Sequence, residues 1–307
     1  MAFSASESAF EGFRIVRREP VTVAIWAVVL LVLSAAGAGL LLPMMTQIRA
    51  GITPGATAPT AESMAAIGQV LRLYLLLVPL YLIVISAFTA AVYRTVLRPE
   101  QKGFGRLRLG GDELRLIGLF LLMGLLFAGL ALGVGIVAAM LAGGVALATH
   151  STGGAGVVIA VIVLYLVVIA AMVWLGVRLS LAAPMTFARK RITLFGSWGL
   201  TKGRFWPLLG CYFLAWVLSI LVLMVDLVVS GALMLGAAGG SFNRVATAMF
   251  QPDATSAMTL LSPIFIIRLV VGAVFGVVVW TIGLAAPAAA YRAIAAPRHE
   301  DQAETFS

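Results

Sequence analysis

The sequence predicts an all-α, polytopic membrane protein with six transmembrane helices, and three observations carry that prediction. Of its 307 residues, 62% are hydrophobic and 11% charged, against roughly 45–50% and about 25% in a soluble domain. Such a surplus of apolar side chains cannot be hidden in one water-soluble core, because a globule of this size still needs a polar surface. Long stretches free of Lys, Arg, Asp and Glu also recur along the chain. Each offers the roughly 20 residues that cross about 30 Å of hydrocarbon. Finally, the basic residues fall almost wholly on alternate connecting segments. A soluble enzyme, a disordered tail, a collagen-like fibre and a disulfide-stapled secreted domain are excluded together.

Residues 1–20 read as a cytoplasmic amphipathic segment, 21–292 as the transmembrane domain and 293–307 as a cytoplasmic tail. The spans fall at about 21–44, 71–94, 115–148, 155–178, 205–235 and 263–291. The first belongs to a charge-free run over 21–48 that exceeds the roughly 7–15-residue core of a signal peptide. Ser34-Ala-Ala-Gly-Ala-Gly39 offers a cleavage-like site, but the run continues through Leu40-Leu-Leu-Pro43 and predicts an uncleaved helix. The second span contains Pro79, which predicts a kink. The third and fourth share one charge-free run, 116–177, divided by the polar turn His150-Ser-Thr-Gly-Gly154. The fifth is interrupted only by Asp226, and the sixth contains Arg268. The segment 51–62, rich in Thr, Ala, Pro and Gly, reads as a flexible outer loop.

Orientation follows from the basic residues near the helix ends. Arg14, Arg17 and Arg18 precede the first span, and Arg94, Arg98, Lys102, Arg106, Arg108 and Arg115 lie between the second and third. Arg178, Arg189, Lys190, Arg191, Lys202 and Arg204 lie between the fourth and fifth, and Arg292 and Arg298 follow the sixth. Of the 21 basic residues only Arg49, Arg72, Arg244 and Arg268 fall on the opposite side. Both termini are therefore expected in the cytoplasm of a bacterial inner membrane. The formal charge of +9 records that sidedness, and nucleic acid is not an expected partner. The bilayer is the expected one, with anionic inner-leaflet lipids at the basic loops, each suitably placed cation contributing about 1 kcal/mol. The chain names no protein partner.

The even-numbered spans end alike: Ser86-Ala-Phe-Thr-Ala-Ala-Val-Tyr-Arg94, Leu181-Ala-Ala-Pro-Met-Thr-Phe-Ala-Arg189 and Leu284-Ala-Ala-Pro-Ala-Ala-Ala-Tyr-Arg292. Their arginines, Arg94, Arg189 and Arg292, lie 95 and 103 residues apart and read as cytoplasmic anchors. A short basic, apolar segment precedes each odd span, at 10–19, 104–115 and 187–204. The unit is expected to be an interfacial helix plus a transmembrane hairpin, present three times. In the first segment Phe10, Phe13 and Val16 alternate with Arg14, Arg17 and Arg18, a pattern suited to the headgroup layer. Ile192, Phe195 and Trp198 repeat it in the third.

The stretch from Leu181-Ala-Ala-Pro184 through Ser197-Trp-Gly-Leu-Thr-Lys-Gly203 resembles bacterial integral-membrane proteins related to the membrane domain of glycerophosphoryl diester phosphodiesterases. The resemblance rests on Ser197, Trp198, Leu200, Thr201, Lys202 and Gly203 and implies a six-helix plan without a chemical mechanism. The family's soluble phosphodiesterase barrel, with paired histidines and metal-binding carboxylates, has no counterpart here. The mitochondrial-carrier signature, Pro-x-acid-x-x-base on odd helices, is also missing, because Pro184 and Pro287 stand on even helices with no acid.

Asp226 is the carboxylate set well inside an apolar stretch, and intramembrane charges pair or line a polar path. It follows Arg204 by 22 residues, Arg268 precedes Arg292 by 24, and Arg72 precedes Arg94 by 22. At about 1.5 Å per residue the three share a layer roughly 33–36 Å from the basic side. An Asp226–Arg268 pair is expected, with Arg72 nearby. Outward snorkelling of each arginine is the structural alternative.

Gly129-x-x-x-Gly133 and Gly272-x-x-x-Gly276 predict close helix approach. Trp198, Trp206 and Tyr93 suit an interfacial belt. His150 and His299, with the single Cys211, predict no metal site, no cofactor and no disulfide. The chain has no Gly-Lys-Ser/Thr phosphate loop, nucleophile elbow or His-Glu-x-x-His motif. The reading is a non-enzymatic membrane scaffold or accessory factor associated with the envelope or its lipids. A small transporter or permease component using the Asp226, Arg268 and Arg72 layer stays open beside it.

Overall fold

A computed structural model describes residues 3–51, 61–101, 103–149, 155–250 and 259–295, and these segments are helical, with no strand among the described residues. The expected turn at 150–154, most of the 51–62 segment, His299 and the chain beyond 295 lie outside the described residues. Two short helices, α1 (Ala5–Ala9) and α2 (Glu11–Arg18), precede α3 (Pro20–Gly51) and α4 (Ala61–Leu97). A 3-10 turn at Phe104–Arg106 leads into α5 (Gly111–Thr149), then α6 (Ala155–Leu179), α7 (Ala182–Arg189) and α8 (Ser197–Thr201). The last three are α9 (Phe205–Ala237), α10 (Phe242–Phe250) and α11 (Pro263–Ala295). Helices α3, α4, α5, α6, α9 and α11 are each long and apolar enough to cross a membrane. The chain has the helices of a multi-pass membrane protein.

Local chemistry sets the boundaries. Pro20 opens α3 at a position whose N–H would have no intrahelical acceptor. Glu113, in the first turn of α5, accepts from the Gly110 N–H at 3.0 Å, one half of a capping box. The fourth span stops at Leu179, and Pro184 sits three residues into α7, inside the first turn where a missing N–H costs least. By contrast α4 runs unbroken through Pro79, and α11 through Pro287.

The connecting segments differ from one another more than the repeat reading expects. The first contains an eight-residue helix, the second a single 3-10 turn, and the third two short helices around a loop. In α2 the buried positions are Glu11, Gly12 and Ile15, whereas Phe10 is exposed. A Cβ added at Gly12 would lie 2.5 Å from the Ile282 Cα, so the backbones of α2 and α11 meet there. The helix is thus docked on protein through Gly12 and Ile15, and its Phe10 edge is left outward. Helix α10, between the fifth and sixth spans, has no counterpart in the sequence reading; Phe242, Arg244 and Phe250 on it are exposed.

The chain divides into two compact units, one comprising Met1–Ala5, Leu109–Gly210 and Pro287–Ser307, the other Ser6–Arg108 and Cys211–Ala286. In the second unit Trp26, Phe88 and Trp280 form an aromatic train, with ring centroids 6.1 and 5.9 Å apart, that ties α3, α4 and α11. Gly276 lets Leu30 approach α11, a Cβ there being 3.3 Å from the leucine methyl. In the first unit α5 packs on α6 and α7, with Leu116, Leu119, Leu181, Met185 and Phe187 fully enclosed. Beyond Leu119 no residue of α5 with a described side chain is buried, and no atom lies within 4 Å of a Cβ built at Gly129 or Gly133. The expected close approach therefore occurs at Gly276 and not at the Gly129 pair.

Candidate functional site

Three polar constellations stand out, and the sequence reading pointed to two of them. The first is the acid–base pair. On α9 the buried residues Leu208, Cys211, Ala215, Asp226, Ser230 and Met234 recur at helical spacing and form one stripe. Leu223, Leu227 and Val228 are exposed around it. Asp226 is thus turned inward, and its Oδ2 accepts from Arg268 Nη1 at 3.5 Å. Its Oδ1 is buried without a hydrogen-bond partner. Arg268 is 44% exposed in its side chain. The guanidinium folds back over Gly272, where an added Cβ would lie 2.7 Å from Nη1. It therefore reaches one turn further into its helix, opposite to outward snorkelling. Gly272 supplies the room for that reach. Arg72 is exposed on α4, and among the described residues it has no ion-pair or hydrogen-bond partner. The structure brings two members of the expected layer together and leaves the third apart.

The second constellation is the Ser197–Gly203 motif. Helix α6 ends at Leu179 with open carbonyls, as every helix does. Ser197 Oγ donates to the Arg178 carbonyl at 2.9 Å, and Thr201 Oγ1 lies 3.5 Å from the same oxygen and 3.2 Å from its nearer acceptor, the Trp198 carbonyl. Both hydroxyls are fully enclosed. Trp198 stands edge-on to Trp174 at 5.5 Å and packs beside Phe195 at 6.1 Å. Leu200 is partly buried and its carbonyl accepts from Arg204 Nη1 at 3.3 Å, while Lys202 is exposed. Gly203 takes a φ of 74°, the left-handed turn that redirects the chain into α9. The motif is a local cap and corner.

The third constellation escaped the sequence reading. Arg106, 6% exposed, pairs with both oxygens of Glu19, with Nε at 3.1 Å from Oε2. Its Nη1 donates to the carbonyls of Pro99 and Gln101, each at 3.2 Å. Arg94 Nη1 donates to the Arg106 carbonyl at 2.9 Å, and Trp26 Nε1 to the Gly105 carbonyl at 2.6 Å. Gly105 and Arg106 both have positive φ, 56° and 53°, so two left-handed residues in a row are held by these bonds. A Cβ at Gly105 would sit 2.8 Å from an Ile25 methyl. The result is a clamp that fastens the 98–106 segment onto α3. Beside it opens a cleft of about 320 Å³ lined by Arg18, Thr22, Gly103, Glu19 and Arg106 among others.

The three repeat-end arginines have different surroundings. Arg94 is 4% exposed and belongs to the clamp, so it is a packing residue and no headgroup anchor. Arg189 ends α7 exposed, followed by Lys190 in the left-handed region, and Arg292 is exposed on the last turns of α11. Tyr93, expected at an interface, is 2% exposed. Trp206 is 77% exposed, as an interfacial residue would be. Comparison of the chain with family models, with curated proteins and with solved structures finds no match.

Proposed function

We propose that the chain is a non-enzymatic, lipid-associated scaffold or accessory protein of the bacterial inner membrane, with three related hairpins and both termini in the cytoplasm. The observation that supports it is the build of the segments between helices. Buried polar side chains are spent inward, in the Arg106 clamp and the Ser197/Thr201 cap, which hold those segments in fixed shapes. Outward they present cations interleaved with large apolar groups: Phe104 and Arg108 in one unit, and Leu109, Arg189, Lys190, Arg191, Ile192, Phe195 and Trp206 in the other. That mixture is what a headgroup layer of anionic lipid accommodates, apolar bodies inside and charges at the phosphates. The resemblance to the membrane domain of glycerophosphoryl diester phosphodiesterases points the same way, toward lipid without catalysis.

Purified protein should melt several degrees higher in phosphatidylglycerol than in phosphatidylcholine, and should hydrolyse glycerophosphodiesters no faster than buffer. Alkaline phosphatase fused at Gly103 should be inactive and at Gly55 active. Activity at Gly103, or equal melting in both lipids, would overturn the reading.

A small transporter or permease component is the second reading, and Asp226 favours it. A carboxylate oxygen buried without a partner beside a half-exposed arginine has the makings of a polar ligand or ion site.

A further inference from the structure

We infer that Arg178, framed by Trp174 and Trp198, seats a phosphate group at the end of α6. The inference rests on the proposed lipid association and adds a place and a chemistry to it. Arg178 is the penultimate residue of α6. Its backbone carbonyl accepts from the Ser197 hydroxyl, with the Thr201 hydroxyl 3.5 Å away. Its side chain is in the opposite condition. Nε and Nη1 are buried, and neither has a hydrogen-bond partner. No described residue forms an ion pair with it. Its guanidinium carbon lies 5.6 Å from the centroid of the Trp174 ring, which in turn meets Trp198 edge-on.

A guanidinium is a cation that carries five donors and no acceptor. Taking a charge out of water without an acceptor is costly, and the ring face of one tryptophan offsets only part of that cost. The carboxylates of α5 are engaged elsewhere, Glu113 with Gly110 and Asp112 with Arg115. An anion from outside the chain is the missing partner, and its chemistry is constrained. Arg178 is partly exposed, and Nη2, the guanidinium nitrogen that is not enclosed, is where a phosphate oxygen first meets it; the fork then matches the paired oxygens of that group. Trp174 is 44% exposed and Phe195 60%, so the seat borders an apolar surface. The next connecting segment supplies exposed Arg189, Lys190, Arg191 and Lys202. A phosphate of an anionic lipid headgroup and a free phosphate both present this group, and the two sources separate by experiment.

The full-length protein in detergent is titrated with phosphatidylglycerol and followed by native mass spectrometry, alone and with millimolar inorganic phosphate. Arg178→Gln should weaken binding of one tightly held lipid about tenfold or more, the loss of one fork-like charged contact. Arg178→Lys should fall between, and Lys190→Gln, which removes an exposed cation of the same unit, should change it less than twofold. The lipid-free melting temperature of Arg178→Gln should not drop, because a partly buried charge without an ion-pair partner has been removed. Displacement of the lipid by inorganic phosphate would assign the seat to a soluble anion with the same chemistry. Equal losses in Arg178→Gln and Lys190→Gln would overturn the seat while sparing general lipid association. A wild type that binds no lipid and no phosphate would overturn both. Should Arg178→Gln fail to fold, Arg178→Lys and Trp198→Leu carry the test, and unchanged affinity in both would end the proposal.

Discussion

Asp226 is the residue on which structural and functional readings divide, and its geometry makes an asymmetric prediction. The carboxylate is buried and the arginine half exposed, so the two partners do not fare equally when the other is removed. Arg268→Leu leaves a buried carboxylate with neither oxygen satisfied, which costs about 3 kcal/mol where a charge is stranded. Asp226→Leu leaves an arginine free to turn toward solvent or headgroups and should cost about 1 kcal/mol or less. Unfolding by mixed-micelle denaturant checks the difference. Equal costs would overturn this asymmetry, and a double variant whose cost is the plain sum of the two would mean the groups do not interact across the 3.5 Å contact. The pair itself was legible in the sequence, because counting rise per residue from basic ends needs only helical geometry. Arg72 satisfied the same count and yet stands apart, since depth along a helix says nothing about which face a side chain takes. The buried stripe was the missing signal. Cys211, Ala215, Ser219, Asp226 and Ser230 mark the small and polar face of α9, and Arg72 belongs to an exposed stretch of α4.

At the level of elements, the six long helices follow from composition, although α3 runs on to Gly51 beyond the expected 44 and α4 opens at Ala61 ahead of the expected 71, whereas the short pieces between them were not foreseen. Helix α6 stops where the fourth span was expected to stop, but α4 runs past Arg94 to Leu97 and α11 past Arg292 to Ala295. The basic side marks a boundary for lipid, and a helix carries on beyond it wherever backbone bonding continues. The Arg106 clamp joins Glu19 to a residue 87 positions later. No local pattern encodes such a pairing, and Arg106 read as one more orientation charge. The Ser197 and Thr201 hydroxyls, four residues apart, stand one turn apart on the same face of α8, which is how both reach one carbonyl. Thr201 can turn its one proton from the Trp198 carbonyl to that oxygen when Ser197 is removed, so the oxygen keeps a donor until both are gone; Ser197→Ala should cost about 1 kcal/mol and Thr201→Val about 0.5 kcal/mol. The double variant should exceed their sum by about 1 kcal/mol. Additive losses would show that the two hydroxyls do not share the acceptor.

For the molecule as a whole, the charge count that first excluded a soluble fold also predicts how lipid association responds to salt. On the proposed lipid association, the exposed cations Arg17, Arg18, Arg108, Arg189, Lys190, Arg191 and Lys202 act on anionic headgroups through water, where the screening length is about 10 Å at 0.1 M and about 3 Å at 1 M salt. On the inferred seat, Arg178 adds a contact beside Trp174 that is screened less than those of the exposed cations, because its Nε and Nη1 are enclosed. The melting-temperature gain in phosphatidylglycerol should therefore fall steeply between about 0.05 M and about 0.5 M salt and level off above zero. In Arg178→Gln the same curve should continue to zero. A wild-type curve that vanishes at high salt would reduce the lipid interaction to diffuse attraction. One that ignores salt would remove the exposed basic residues from it. The plateau, as the part of the gain that depends on a single arginine, distinguishes a seat built by the fold from a surface that is merely positive.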